Sequence, residues 1–346
     1  MSGPPGDDPF DVELDGGVDD EGASEGEGLG VVTVPPLLAG VRVDRAVAML
    51  AGVSRASAAT MVAEGRVRVD GRAVTTRSTP LTEGSVLEME VGDTPAVALE
   101  PEPGIDPHVV HADADVVVVD KPAGLVVHPG AGRARGTLAG ALLARYPDLA
   151  DLVAAGLSDP GRPGIVHRLD RGTSGLLVVA RSRRAVESLI DQLSSRSVER
   201  TYVALVRGEV PDDRGVVDAP IGRSTRQPTL MSVSARGRPA RTGYEVLRRT
   251  AGGEPTSLLE VHLETGRTHQ IRVHMAAIGH PVVGDDRYGR PDGRLEAGRL
   301  FLHAARLAFV HPGTGARVEW RSPLPDDLAA LVDDGPAWLG ETAGPI

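Results

Sequence analysis

A proline-rich segment over residues 93–107 divides the chain and constrains its organisation more than any other feature. Proline fixes φ and lacks a backbone N–H, so closely spaced prolines interrupt helices and strands. Patterned sequence on both sides predicts two domains, at residues 31–92 and 108–327, joined by this linker. Residues 1–30, rich in glycine and acids, predict a disordered tail, and residues 328–346 form a C-terminal extension.

The charge of the chain is unevenly distributed. The formal net charge is -11, yet residues 1–30 hold ten acids and neither lysine nor arginine. Residues 41–80 contain seven arginines against three acids, and residues 161–184 contain six arginines against one. Two basic segments inside a near-neutral body indicate that a nucleic-acid partner is compatible with this acidic chain.

Composition excludes several kinds of site and location. The 346 residues are 41% apolar, enough for a sizeable core, and include no cysteine. Disulfides, thiolate metal sites and thiol catalysis are therefore excluded. No stretch approaches the roughly 18 apolar residues of a membrane span, and there is no signal-peptide pattern. We expect a cytoplasmic protein with no membrane partner, and a monomer.

The first domain combines short helices with short strands. The predicted elements are helices over residues 41–50 and 56–63, the second capped by Ser54, a hairpin over residues 66–74 with an Asp-Gly turn, and a strand over residues 85–91. The strings V-R-V-D-R-A-V-A-M-L and E-G-R-V-R-V-D-G-R-A-V resemble the small RNA-binding domain named after ribosomal small-subunit protein four. The resemblance implies RNA-phosphate contacts from Arg42, Arg45, Arg55, Arg66, Arg68 and Arg72.

The second domain mixes strands and helices without a regular βαβ repeat. The predicted strands cover residues 116–119, 125–128, 176–180, 201–207, 241–247 and 258–263, and the predicted helices cover residues 138–146, 185–194 and 268–278. This order favours a mixed or mainly antiparallel sheet flanked by helices over a doubly wound sheet. The predicted fold class is α+β, preceded by the small αβ domain.

One acid lies among arginines in the run His167-Arg168-Leu169-Asp170-Arg171-Gly172-Thr173-Ser174-Gly175. Nearby positive charge favours an ionised carboxylate, which suits a nucleophile or an electrostatic stabiliser. On local composition alone, Asp170 fits a cap or a solvated ion pair better.

Lys121 is also unusual, because it is the only lysine among 37 lysines and arginines. Its turn either keeps a lysine by chance or requires a compact ammonium on a flexible stem.

Four segments of the second domain together resemble the RluA family of pseudouridine synthases, and within it the RluD-like enzymes of large-subunit ribosomal RNA. The segments are D-K-P-A-G-L-V-V-H-P from Asp120, G-I-V-H-R-L-D-R-G-T-S-G-L from Gly164, R-T-Y-V-A-L-V from Arg200 and L-E-T-G-R-T-H-Q-I-R-V-H-M from Leu263. The resemblance implies a pseudouridine synthase fold from about residue 108 to residue 325. Arg171 and Gly172 stand where relatives often have Lys and Asp, at positions that carry no implied catalytic role.

The resemblance also implies residue roles. Asp170 matches the catalytic aspartate, Arg168 the arginine that helps to expel the target nucleotide, Tyr202 the tyrosine packed against the flipped base, and Arg272 the arginine paired with the carboxylate. By pattern alone, Tyr202 fits a half-buried core tyrosine better, and Arg272 fits a surface ion pair better; the resemblance favours the functional roles instead. Further RNA contacts are expected from Lys121, His167, Arg267 and His269.

The implied reaction converts uridine to pseudouridine and requires no cofactor. The histidine spacings include neither H-E-x-x-H nor an acidic ligand cluster, so we expect no metal. We expect large-subunit ribosomal RNA as the partner, free or within a pre-ribosomal particle. Two alternatives remain: the same isomerisation on transfer RNA or other ribosomal sites, and a non-catalytic RNA-binding assembly factor. Deleting the gene would distinguish the latter by leaving every pseudouridine in place.

Overall fold

The computed structural model describes residues 30–34, 38–50, 55–90, 99–129, 135–224, 227, 230–251, 253–289 and 297–332. The chain separates into two compact units between residues 98 and 99. Across the described residues, no helix has both the length and the apolar character needed to cross a membrane. Each unit is described separately below.

The first unit is a small αβ domain. Its elements are β1 (Gly30–Thr33), α1 (Val43–Leu50), α2 (Arg55–Ala63), β2 (Val67–Val69), β3 (Arg72–Ala73) and β4 (Val86–Met89), with sheet order β1-β4-β2-β3. Buried apolar residues of both helices, including Val47 and Met61, pack with Leu87 of β4. The predicted helices and strands are present. Sequence reasoning missed β1, which pairs antiparallel with β4, and the proposed cap Ser54 lies outside the described residues.

The hairpin of the first unit has the turn that its sequence predicts. Asp70 and Gly71 both have positive φ, 51° and 74°, as a two-residue type I′ turn requires. The Asp70 side chain also accepts a 2.7 Å hydrogen bond from the backbone N–H of Val86, which fixes the turn against β4. The turn therefore holds Arg68 and Arg72 at the exposed end of the hairpin.

The second unit is built on one large sheet. Its strands are β5 (Val109–Ala112), β6 (Val116–Lys121), β7 (Ser174–Ala180), β8 (Glu199–Arg207), β9 (Arg214–Asp218), β12 (Arg241–Thr250), β13 (Thr256–Leu263), β14 (Leu302–Val310) and β15 (Arg317–Arg321). In the described part of the chain, the sheet order is β5-β6-β7-β14-β8-β13-β12-β9, with β15 on β14. Only β7 and β14 pair in parallel among these strands, so the predicted mixed, mainly antiparallel α+β class is confirmed.

Helices and a short hairpin complete the second unit. They are α3 (Leu138–Arg145), α4 (Leu149–Ala154), α5 (Arg183–Ser194), α6 (Gln270–Ala277), α7 (Asp326–Ala329) and the pair β10 (Ile221–Arg223) and β11 (Met231–Val233). The largest hydrophobic core includes Val117 of β6, Leu177 of β7 and Leu189 of α5. The seven-residue strand β7 is buried throughout, which explains its continuous apolar sequence.

Two local predictions need correction or qualification. The predicted strand over residues 125–128 is wrong: Val126 makes only an isolated bridge to Thr137, and the Leu125 carbonyl instead accepts a hydrogen bond from Lys121.

Part of the predicted linker packs on the second unit. Leu99 lies in the main core, and the Glu102 carboxylate accepts hydrogen bonds from the backbone N–H groups of Gly136 and Thr137. The exact domain boundaries stay predictions.

Candidate active site

The loop that carries Asp170 is fixed at both ends by glycines in close contact with backbone. A Cβ on Gly164 would lie 2.2 Å from the carbonyl oxygen of Ala180, and one on Gly175 would lie 2.3 Å from that of Ala304. Both glycines also have positive φ, 71° and 110°. Only glycine combines this conformation with such close approach. The two outer glycines of the motif therefore set the path of the loop against β7 and β14.

Asp170 lies beside a buried arginine that a second carboxylate holds in place. Arg272 of α6 donates from Nη1 to Asp170 Oδ2 at 3.3 Å. Its Nε and Nη2 donate to the two oxygens of Asp285, both at 2.8 Å. The Asp285 side chain is fully buried, whereas that of Asp170 remains 16% exposed. Asp285 thus fixes the guanidinium plane, and Arg272 presents its remaining edge to the partly open Asp170.

The charged forms of Arg272 and its two carboxylate partners, Asp285 and Asp170, stabilise one another. Burial disfavours the charge of Arg272, but hydrogen bonds and attraction from Asp285 and Asp170 outweigh burial and raise the pKa of Arg272. Burial likewise opposes ionisation of Asp285, but the bonds from Arg272 lower its pKa overall. The Arg272 guanidinium also lies 5.1 Å from the centre of the Tyr288 ring, which adds a cation–π contact. The Arg272 guanidinium therefore stays positively charged beside Asp170.

Tyr202 lies on β8, close enough to Asp170 for the two groups to interact electrostatically. Its side chain is buried, and β8 pairs it with Val261 and Ala304. Burial, with a smaller contribution from the charge of Asp170, raises the pKa of the Tyr202 phenol to about 12. Tyr202 is consequently a neutral ring at physiological pH, suited to packing against a base and not to accepting a proton.

Lys121 and His167 are enclosed, which conflicts with the prediction that they contact RNA. Lys121 is fully buried, and its Nζ donates to the carbonyls of Pro122 and Leu125 at 2.9 Å and to that of Arg171 at 3.4 Å. Burial lowers its pKa to about 7. A compact ammonium suits three carbonyls that converge from different directions. Lys121 therefore ties the D-K-P turn to the residue after Asp170.

His167 supports the loop from inside. Its Nε2 accepts a 3.1 Å hydrogen bond from the backbone N–H of Val178 in β7. Burial, with repulsion from Arg200, lowers its pKa to about 3, so the ring is neutral at physiological pH. The H-R-L-D histidine thus fastens the loop of Asp170 to β7.

Arg168, Arg267 and His269 are half-buried. The Nη1 of Arg168 is buried and has no hydrogen-bond partner among the described residues. Arg267 donates to the carbonyl of Pro239 at 3.1 Å. His269 precedes α6 in a left-handed conformation and interacts with the Tyr288 hydroxyl at 2.7 Å. Their predicted RNA contacts stay predictions.

The entry to α6 is held by a network that sequence reasoning did not identify. Gln270 donates to Thr242 Oγ1 at 2.9 Å, and this hydroxyl bonds to His274 Nδ1 at 2.8 Å. Gln270 also accepts hydrogen bonds from the Thr265 hydroxyl and the Arg267 backbone N–H. The glutamine and second histidine of T-H-Q-I-R-V-H therefore orient the helix that carries Arg272. Asp285 and Tyr288 were also missed, because only the three-dimensional contacts distinguish them from ordinary turn residues.

The predicted RNA-binding arginines of the first unit are mostly exposed. Arg42, Arg45, Arg68 and Arg72 have exposed side chains, and Arg66 is half-buried, with a 3.1 Å hydrogen bond to the Glu90 carbonyl. The side chain of Arg55 lies outside the described part of the chain. These positions leave several guanidinium groups accessible to phosphates.

Two histidines and an aspartate meet away from Asp170. Asp113 Oδ2 lies 2.9 Å from His111 Nε2 and 2.8 Å from His311 Nε2. His311 Nδ1 accepts from the backbone N–H groups of Gly313 and Thr314, so its proton resides on Nε2 and points at Asp113. A metal at Nε2 would require the opposite arrangement. The geometry fits a hydrogen-bonded link between β5 and the β14–β15 turn; the absence of a metal stays a prediction.

Comparisons with known proteins place the chain in a family. A model described as RNA pseudouridylate synthase matches residues 115–277, and an S4 domain model matches residues 41–87. The chain belongs to the RNA pseudouridine synthase family and carries an N-terminal S4 domain. The resemblances inferred from the segment around Asp170 and from the first domain are thereby confirmed, as is the enzyme class.

Individual relatives match over most of their length. An uncharacterized RNA pseudouridine synthase of Chloroflexus aurantiacus is 49% identical over 87% of this chain and 92% of the relative. Ribosomal large subunit pseudouridine synthase D of Nitrosomonas europaea is 43% identical over 90% of this chain and 89% of that protein. The solved human RNA pseudouridylate synthase domain containing 1 is 30% identical, covering 67% of this chain and 90% of that structure, with a TM-score of 0.51.

Proposed function

We propose that Asp170 carries out the isomerisation of specific uridines in large-subunit ribosomal RNA. The observation that carries the mechanism is the contact of Asp170 with Arg272, itself fixed by Asp285. This arrangement supplies an oriented, partly exposed carboxylate next to a permanent positive charge. The proposed RNA target is supported by relatives that are named for the ribosomal large subunit, at 43% and 41% identity.

The isomerisation requires one anionic group at the sugar. In one route, the Asp170 carboxylate attacks C1′ and the C1′–N1 bond breaks with its electron pair on N1; the uracil turns, C5 bonds to C1′ and the carboxylate leaves. In the other route, Asp170 takes the 2′ proton as the C1′–N1 bond breaks with its electron pair on N1, which leaves a glycal; the uracil turns, C5 bonds to C1′ and Asp170 returns the proton to C2′. Both routes end with loss of the proton from C5 and gain of a proton at N1. Atoms balance without a cofactor, and Arg272 stabilises the ionised carboxylate in either route.

The target uridine must leave its helix before Asp170 can reach C1′. Base flipping costs a few kcal/mol, which contacts to the extruded nucleotide and the vacated stack offset. In this proposal, Arg168 contacts the RNA and the Tyr202 ring packs against the flipped uracil; the unpartnered Nη1 of Arg168 and the neutral Tyr202 phenol support these roles. The S4 domain would then hold the surrounding RNA through its exposed arginines.

Tritium release from 5-tritiated uridine tests the activity and its target together. We expect release from transcribed large-subunit RNA at a rate well above that from transfer RNA transcripts. The matched control is Asp170→Asn, which should bind the same transcript and release no tritium. Release from transfer RNA alone would refute the ribosomal target and leave the isomerase intact. Normal release by Asp170→Asn would refute the role of Asp170.

We further infer a cytoplasmic site of action, because large-subunit RNA is made and assembled there in bacteria. A monomer also remains our expectation. Fractionation of cells and light scattering of the purified protein test these two statements: recovery with a membrane fraction would contradict the first, and a dimeric mass would contradict the second.

A further inference from the structure

Arg200 carries a buried positive charge that no carboxylate offsets within the described residues. Its side chain is only 8% exposed, and its Nε is buried with no hydrogen-bond partner. Burial lowers its pKa, and no neighbouring carboxylate counteracts that effect. Arg272, similarly buried at 6% exposure, is instead bonded to Asp285 and Asp170. Buried charges in proteins are normally paired, and the described residues supply no anion for Arg200.

The position of Arg200 relates it to the proposed base-binding residue. Arg200 and Tyr202 are two residues apart on β8, so both side chains leave the same face of the sheet, about 7 Å apart along the strand. Tyr202 in turn interacts electrostatically with Asp170. A nucleotide whose base packs on Tyr202 thus brings the adjoining RNA backbone within reach of the long Arg200 side chain.

Gly266 allows the Arg200 guanidinium to pack against the backbone. A Cβ at this glycine would lie 2.9 Å from Arg200 Nη1, which is closer than real Cβ contacts. The glycine precedes Arg267 in the T-G-R-T-H-Q segment that leads to Arg272. The position of Nη1 therefore depends on the absence of a side chain at residue 266.

We propose that Arg200 forms an anion subsite for a backbone phosphate of the RNA, next to the uridine that packs on Tyr202. RNA supplies an anion at every nucleotide, and the planar guanidinium fork matches phosphate oxygens. Binding provides the buried charge with a counter-ion that the described residues do not supply. The subsite rests on the proposed uridine isomerisation at Asp170, and it adds a contact that orients the flipped nucleotide.

The replacement Arg200→Met tests the subsite, with Arg306→Met as control. Arg306 is paired with Glu319 at 2.8 Å and Glu199 at 3.0 Å, so its charge is already offset. Binding of a large-subunit RNA transcript is measured over a series of salt concentrations, together with the melting temperature. For Arg200→Met we expect about tenfold weaker binding, a salt slope smaller by about one phosphate contact, and an unchanged or higher melting temperature. Arg306→Met should melt lower and bind RNA normally.

A purely structural Arg200 gives the opposite result: a lower melting temperature with RNA affinity and salt slope unchanged, which would overturn the proposal. Gly266→Ala provides a second variant that keeps Arg200. Its Cβ would displace Nη1, so we expect weaker RNA binding, and unchanged affinity would contradict the predicted location of the phosphate. These binding measurements stand apart from tritium release, so failure of the subsite and failure of the proposed target are distinguishable.

Discussion

Asp285 holds Arg272 by two parallel 2.8 Å hydrogen bonds, and this pairing determines which edge of the guanidinium faces Asp170. Asp285 is itself fixed, because its Oδ1 also accepts hydrogen bonds from the backbone N–H groups of Arg287 and Tyr288. The orientation of the Asp170 carboxylate, which we propose to be catalytic, therefore depends on a turn more than a hundred residues away in sequence. Asp285 is a positioning residue in this account.

Replacing Asp285 should reduce turnover more than substrate binding. Asp285→Asn retains the shape of the side chain but cannot accept both bonds from Arg272, so we expect kcat to fall on the order of 100-fold with KM little changed. Asp286→Asn is the matched control, because Asp286 is 90% exposed and lies 3.8 Å from Arg272 Nη2. Steady-state tritium release measures both variants. Equal kinetics for the two variants would contradict the positioning role.

A lysine cannot replace Arg272. Arg272→Lys keeps the charge, but a single ammonium does not reproduce the planar fork that reaches Asp285 and Asp170 at once. We expect a loss of activity close to that of Arg272→Gln, and a fall in the free energy of unfolding of about 3–5 kcal/mol, since Asp285 would remain buried without its partner. Denaturant unfolding and tritium release provide the two readouts. Substantial activity in Arg272→Lys would show that charge alone suffices.

The glycines of the loop that carries Asp170 should differ in their tolerance of substitution by alanine. Gly175→Ala would combine a φ of 110° with a Cβ 2.3 Å from the Ala304 carbonyl oxygen, so we expect a loss of about 2–4 kcal/mol in unfolding free energy. Gly172→Ala places its Cβ 3.4 Å from Leu300 Cβ and should be nearly neutral. Comparable melting temperatures for these two variants would contradict the proposed reason for the motif's glycines.

Glu319 should contribute an acid-sensitive part of the stability. Hydrogen bonding to Arg306, followed by Arg321, lowers its pKa from 4.5 to about 2, and its side chain is only 4% exposed. Because the folded-state pKa is lowered, the contribution is complete above pH 4.5 and is lost as the pH falls toward 2. It amounts to about 3 kcal/mol. The difference in unfolding free energy between wild type and Glu319→Gln should shrink over this window; a constant difference would contradict the assignment.

Sequence reasoning identified the parts of this protein that follow local rules. Buried apolar runs such as β7, the Asp-Gly hairpin and the absence of a βαβ repeat all lead to the observed fold. The motif around Asp170 led to the family. The short edge strand β1 and the false strand over residues 125–128 were misjudged, because pairing with β4 and capture of the Leu125 carbonyl by Lys121 are tertiary effects.

The site was predicted less completely than the fold. RNA contacts were predicted for Lys121 and His167, whereas both side chains make hydrogen bonds that fasten the loop of Asp170. Residue type alone does not show that a polar side chain is buried. The Lys121 ammonium is buried because it donates to backbone carbonyls, and His167 is buried with a hydrogen bond from a strand N–H. Asp285 and Gln270 were missed for the same reason, since their importance lies in partners distant in sequence.

The most direct test of the central claim is the amount of pseudouridine formed in transcribed large-subunit RNA by Asp170→Asn under single-turnover conditions. Pseudouridine has the same mass as uridine, so the RNA is first treated with a carbodiimide that leaves a stable adduct on pseudouridine, and mass spectrometry of nuclease fragments then counts the adducts. A binding assay on the same samples establishes that the complex has formed. The account predicts pseudouridine at defined positions with the wild-type enzyme, and none with a variant that still binds the RNA. Wild-type amounts of pseudouridine from Asp170→Asn would contradict the assignment of Asp170 as the catalytic group.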